Sequence, residues 1–67
     1  MLVYTRHAAE RMKQRGVTPA EVVACLRNPD ITYPDGRGHR NFIKGSLRVV
    51  VTEDGEKVIT VVRRTTT

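Results

Sequence analysis

The sequence predicts an α+β fold: two N-terminal helices packed on one face of a three- to four-stranded antiparallel β-sheet meander. Three observations predict it. Capping signals bracket two segments of helical apolar spacing before Pro29. Runs rich in β-branched residues dominate from Ile31 onward. Gly45-Ser46 and Asp54-Gly55 then break those runs at hairpin spacing. The 67 residues read as one small domain. A chain of this size buries only about 60% of the surface its unfolded form exposes, so its packing has to be good.

The first helix is expected at about 5–15, with Thr5 as its N-cap and Gly16 ending it in the left-handed conformation. On its wheel Ala8, Ala9 and Met12 share an apolar arc, and His7, Arg11, Gln14 and Arg15 line the polar quadrant beside it. The second helix, about 19–27, opens with "VTPAEVV". Thr18 is the N-cap, Pro19 sits at N1 where a missing N–H costs nothing, and Glu21 at N3 completes a capping box. Val17 and Val22 stand at the two positions of a hydrophobic staple. The helix stops before Pro29. Its run of Ala20, Val22, Val23, Ala24, Cys25 and Leu26 leaves little polar face, so it should be the more buried of the two.

Strands are expected at about 31–33, 39–44, 47–53 and 56–63. The first, "ITY" before Pro34, reads as a short edge strand, and "DGRGH" from Asp35 as a basic, Gly-rich loop. Two-residue turns fix the faces. Asp54-Gly55 sets Val51 opposite Val58, Val49 opposite Thr60 and Leu47 opposite Val62, while Gly45-Ser46 sets Phe42 opposite Val49. That face is the floor for the helices. The other face would carry His39, Asn41, Ile43, Arg48, Val50, Thr52, Lys57, Ile59, Val61 and Arg63. Apolar residues interleaved with His, Asn and Arg suit a nucleic-acid surface, with flat patches for bases and cations for phosphates. The same mixture also suits a homodimer interface or exposed strand formers.

Charge sharpens the functional question. There are 12 basic and 7 acidic side chains, net +5, and nine of the basic ones are Arg, whose planar fork grips phosphate bidentately. A polyanion, most often nucleic acid, is the default partner of such a balance; an acidic protein is the other. His7, Arg11 and Arg15 recur four residues apart, a spacing at which like charges repel by a few tenths of a kcal/mol, about 0.2–0.5. Either a phosphate outside the helix or Asp30, Asp35 or Glu21 inside the fold has to answer that stripe. Cys25 is the single cysteine, which excludes an intramolecular disulfide, fits a reducing compartment and suits a small buried hydrophobe. No Cys/His pairs fall at zinc spacing, so neither a metal nor another cofactor is expected. No segment approaches about 18 apolar residues and no signal-peptide core is evident, so the expectation is a soluble, cytoplasmic protein with no membrane contact.

"H-A-x-x-R-M-x-x-R-G-V-T", His7 to Thr18, followed by a helix, a basic Gly-containing segment and the hairpin "LRVVVTEDGEKVITVV", resembles the DUF4258 family of small bacterial and phage-associated proteins. By similarity that family is placed among RelE-like and BrnT-like toxins, which are metal-independent ribonucleases built from N-terminal helices on an antiparallel sheet. The resemblance implies attack of a ribose 2′-OH on the adjacent phosphorus, giving a 2′,3′-cyclic phosphate and a free 5′-OH. Such a reaction needs a base, an acid and cations for the phosphoryl oxygens. His7 and His39 are the candidate base and acid, because histidine changes charge near neutral pH. Arg48 stands with them as a catalytic candidate, and Arg11, Arg15, Arg37, Arg40, Asn41 and Arg63 are candidates to hold the RNA. His7, Arg11 and Arg15 match the family's helix motif, whereas His39, Arg48 and Arg63 rest on the strand-face argument. The implied partners are RNA and an antitoxin protein. Two other readings stay open on the same scaffold: a nucleic-acid-binding module without catalysis, and an adaptor or homodimer joined through the open sheet face.

Overall fold

The computed structural model describes residues 2–64. Its elements run β1 (Val3–Tyr4), α1 (Arg6–Arg15), α2 (Pro19–Arg27), β2 (Ile31–Pro34), β3 (His39–Lys44), β4 (Leu47–Thr52) and β5 (Lys57–Arg63). The strands form one five-stranded sheet in the order β1-β5-β4-β3-β2. Every pairing is antiparallel except β1 with β5. Both helices lie on one face, α1 along β5 and β1, α2 across β4 and β3. The α+β architecture is the one the sequence predicts, with β1 added as a fifth strand.

The helices form where the capping chemistry places them. Thr5 Oγ1 accepts the Ala8 N–H, and Gly16, at φ 66°, donates its N–H to the Met12 carbonyl. Thr18 and Glu21 form the reciprocal capping box, with Pro19 at the first helical position. The staple residues Val17 and Val22 are both buried. With Ala8, Met12 and Cys25 they meet Leu47, Val49, Val51, Val58 and Val61 from the sheet in one apolar core.

Three expectations need correction. First, α2 is the more buried helix only by a small margin, through Glu21 and Leu26, which are partly covered. Each helix buries two residues, Ala8 and Met12 in α1 and Val22 and Cys25 in α2. Val23 is 39% exposed, because no described element covers the back of a helix that lies on a single sheet. Second, residues 3 and 4 form a strand. Val3 and Tyr4 pair with Lys57 and Val58, and the N–H groups of Val3 and Thr5 donate to the carbonyls of Glu56 and Val58.

Third, the β4–β5 register slips. Val51 faces Val58 as expected, but Val50 faces Thr60, Val49 faces Val61 and Leu47 faces Arg63, so Ile59 is an extra residue on β5. Its carbonyl accepts the Thr5 hydroxyl at 3.1 Å, where the chain passes from β1 into α1. A one-residue slip exchanges faces. Val61 therefore enters the core, and Thr60 and Val62 move to the uncovered face. Arg63 moves to the helix side, where it pairs with Glu21.

Candidate nucleic-acid interface

The face away from the helices is built by strand alternation. The β3–β4 register, with Phe42 opposite Val49, puts His39, Asn41 and Ile43 beside Thr52, Val50 and Arg48. Strand β2 adds Ile31 and Tyr33 opposite Ile43 and Asn41, and β5 adds Thr60 and Val62. No described helix lies on it. Asn41 is nevertheless fully buried and Val50 nearly so, because the neighbouring side chains close over them. Asn41 Oδ1 accepts the Arg48 Nε–H at 2.9 Å. This hydrogen bond lays an exposed guanidinium over the middle of the face, with its other N–H groups unpaired among the described residues. Among the described residues Asn41 Nδ2 is buried without a partner, a state that costs about 1–3 kcal/mol.

A second cluster forms where the β2–β3 loop meets the end of β4. Gly36 and Gly38, at φ 80° and 81°, let the loop fold back on itself. Asp35 Oδ1 accepts the backbone N–H groups of Arg37 at 2.8 Å and His39 at 3.2 Å. The Arg37 N–H is the main reason that the Asp35 carboxyl lies below the usual carboxylate range. Asp35 Oδ2 stands 3.5 Å from His39 Nδ1, which leaves Nε2 as the ring nitrogen for other work. Beside it is a hollow of about 240 Å³ lined by Pro34, Gly36, Gly38, His39, Arg40 and Glu53. Glu53 reaches this place because its N–H donates to the Gly38 carbonyl at 3.0 Å, one step beyond the His39–Thr52 pair. Sequence reasoning passed over Glu53. Extending the Gly45-Ser46 register by that one step would have found it.

The structure divides the remaining sequence-predicted residues. His39, Asn41 and Arg48 share the uncovered face, Arg40 lines the hollow at its end, and Arg37 is exposed in the loop. Arg63 does not join them. It lies across the sheet, bonded to Glu21 and to the Gly16 carbonyl. His7, Arg11 and Arg15 belong to α1 on the helix layer, with His7 and Arg15 exposed. Among the described residues no carboxylate answers Arg11 or Arg15. Arg11 bonds the Gln14 side chain, Glu21 is taken by Arg63, Asp30 by the Gly45 N–H and Asp35 by its own loop. Cys25 is buried, donates its S–H to the Phe42 carbonyl, and has its thiol pushed up by that burial, as an inert core residue would.

Residues 4–63 match DUF4258, a domain of unknown function. The chain belongs to the DUF4258 family. Comparison with curated proteins and with solved structures finds no match. The DUF4258 match takes in the α1 stripe, the His39 loop and the Asn41–Arg48 pair together, so both layers belong to the family's domain. Its description assigns no chemistry. In this DUF4258 chain His39, Arg40 and Glu53 line one hollow at the loop end of β3 and β4, and Arg48 lies further along β4, opposite Ile43.

Proposed function

We propose that this DUF4258 protein is a metal-independent endoribonuclease whose site is the hollow at the β2–β3 loop end of the sheet. One observation carries the reading: His39, Glu53 and Arg40 line a single hollow, while Asn41 holds Arg48 further along β4, opposite Ile43. Glu53 takes the proton of the ribose 2′-OH. The 2′-oxygen attacks phosphorus, the bond from phosphorus to the 5′-oxygen breaks, and His39 Nε2 gives that oxygen its proton. Arg40 and Arg48 face the charge gathered on the phosphoryl oxygens. Asp35 positions His39 through Nδ1. His7, the second imidazole implied by the family resemblance, stands on the helix layer and is left out of the pair. The reading carries RNA as substrate, an antitoxin as protein partner and the cytoplasm as the place of action.

The test is cleavage of a labelled single-stranded RNA by purified protein in excess chelator. The expected result is fragments ending in 2′,3′-cyclic phosphate and 5′-OH, with His39→Ala and Glu53→Gln each slower by about 10²-fold or more. Loss of cleavage on chelation would overturn the mechanism. Salt-sensitive binding with the RNA left intact would establish the second reading, a binding module, which the anchored Arg48 favours by itself.

A further inference from the structure

The uncovered face holds a second hollow, which shares only Arg48 with the proposed cleavage chemistry. It measures about 240 Å³ and is lined in part by Tyr33, Ile43, Arg48, Val62 and Arg64. It lies at the β3–β4 turn, four residues along β3 from His39, or roughly 13 Å at a strand's rise of about 3.3 Å per residue. The Arg64 backbone is held there by its N–H, which donates to the Ser46 carbonyl at 2.8 Å, and its side chain is exposed. Ile43, Val62 and the Tyr33 ring supply flat apolar surface, with Tyr33 and Val62 more than a third exposed.

Size and charge narrow the occupant. Pockets that enclose drug-sized ligands run to about 300–1,000 Å³, so this one suits a single ring system. Arg48 and Arg64 line it, and among the described residues no carboxylate does. A second copy of the chain, docked face to face, would set Arg48 and Arg64 against the same cations with no acid between them. A phosphate answers both forks. We propose that this hollow is a base-binding subsite: it takes one unstacked nucleobase against Tyr33 and Val62, while Arg48 and Arg64 hold the adjoining phosphate. This inference rests on the uncovered face being the RNA surface. It sets the substrate class as single-stranded RNA, because a duplex keeps its bases stacked and paired.

The experiment is fluorescence anisotropy with a short 2′-O-methyl oligonucleotide, which binds but has no 2′-OH to react. It is paired with amide NMR titration by adenosine 5′-monophosphate and by inorganic phosphate. Tyr33→Ala and Arg64→Ala should each weaken oligonucleotide binding about tenfold, the scale of one lost base–aromatic stack. Arg27→Ala, an exposed charge on α2, should change it less than twofold. The matching duplex should bind at least tenfold more weakly than the single strand. The mononucleotide should shift the Ile43 and Val62 amides, which phosphate alone should leave in place. Oligonucleotide binding that Arg40→Ala weakens but Tyr33→Ala and Arg64→Ala do not would overturn the subsite and leave the RNA surface standing. No binding at all would overturn both. A dimer that Val62→Glu dissociates, with no response to the mononucleotide, would give the hollow to a second copy and overturn the subsite.

Discussion

The two faces of β3 and β4 are made from alternate residues of the same twelve-residue pair of strands, yet they are put together on different terms. On the covered face Phe42, Val49 and Val51 meet Met12, Val22 and Cys25 in an apolar core, where burial alone explains each residue. On the uncovered face the fully buried side chain is Asn41, its amide nitrogen unpaired, beneath a guanidinium that reaches solvent. Nothing about that arrangement is the most stable choice for the position. A buried polar group that packing does not favour stands out against a face that burial explains. The covered face holds this domain together, and the uncovered one is where the proposed RNA chemistry is to be tested.

The sharpest break between the faces is expected from Met12→Ala. Met12 is 7% exposed and belongs to the core, so truncation should cost about 2–4 kcal/mol in urea denaturation, a large share of a small domain's stability. RNA cleavage per folded molecule should stay at the wild-type level, since the residue touches only the covered side. A smaller effect, Glu21→Ala, tests the same side through its polar fastenings. It removes the Glu21 half of the capping box, leaving the Thr18 hydroxyl to accept the N–H of residue 21. It also removes the partner of Arg63, a pair whose side chains are 27% and 39% exposed and so worth little in itself. The lost Thr18 N–H bond dominates, and the loss should be about 0.5–1 kcal/mol, less than replacing Thr18 itself. Glu21→Gln can still accept the Thr18 N–H and should lose less than half of that.

What was legible in the sequence follows the same division. Caps and tight turns are local, and they appear where Thr5, Gly16, Thr18, Glu21 and Gly45-Ser46 put them. That register alone placed His39, Asn41 and Arg48 together. The bulge at Ile59 was not legible, because the hydroxyl that bonds its carbonyl lies 54 residues earlier, on Thr5. The slip it introduces sent Arg63 to the wrong face in the two-residue-turn reading and hid Val61 in the core. Strand β1 escaped for the same reason, since two residues carry no periodicity and pair only with a strand at the far end of the chain. The basic stripe on α1 was visible at once. The lack of a carboxylate facing it is a tertiary fact that no spacing reveals.

On the uncovered face the expected effect on stability is smaller again, and its direction is the informative part. Asn41→Leu removes the unpaired amide nitrogen together with the hydrogen bond to Arg48, whose guanidinium can turn to water. The two terms oppose each other, each about 1–3 kcal/mol, so the midpoint of denaturation should move by less than about 1 kcal/mol either way. RNA affinity should fall, because Arg48 then has no fixed position over the face. A loss of 3 kcal/mol or more would show that Asn41 is held for stability after all, and the contrast between the faces would fail.

The smallest effect is a pH dependence confined to the loop end. Asp35 holds its carboxyl below the usual value by accepting the Arg37 and His39 N–H groups, and Asp54 does so by accepting the Thr52 hydroxyl and the Glu56 N–H. A carboxylate depressed in the folded state adds stability that is fully present above its unfolded value, about 3.9, and is lost as pH falls through the lower folded one. Both turns should therefore stay intact at neutral pH and loosen only in acid, below the range where ordinary aspartates titrate. The measurement is the pH dependence of the Arg37, His39 and Glu56 amide resonances. Each should move with a midpoint under 3.9. Asp35→Asn should abolish the carboxyl's transition at Arg37 and His39 while leaving that at Glu56. If the Arg37 and His39 amides instead titrated at the ordinary aspartate value, Asp35 would not be gripping its loop in solution. The fixed Nδ1 contact that presents His39 Nε2 to a substrate would then lose its support.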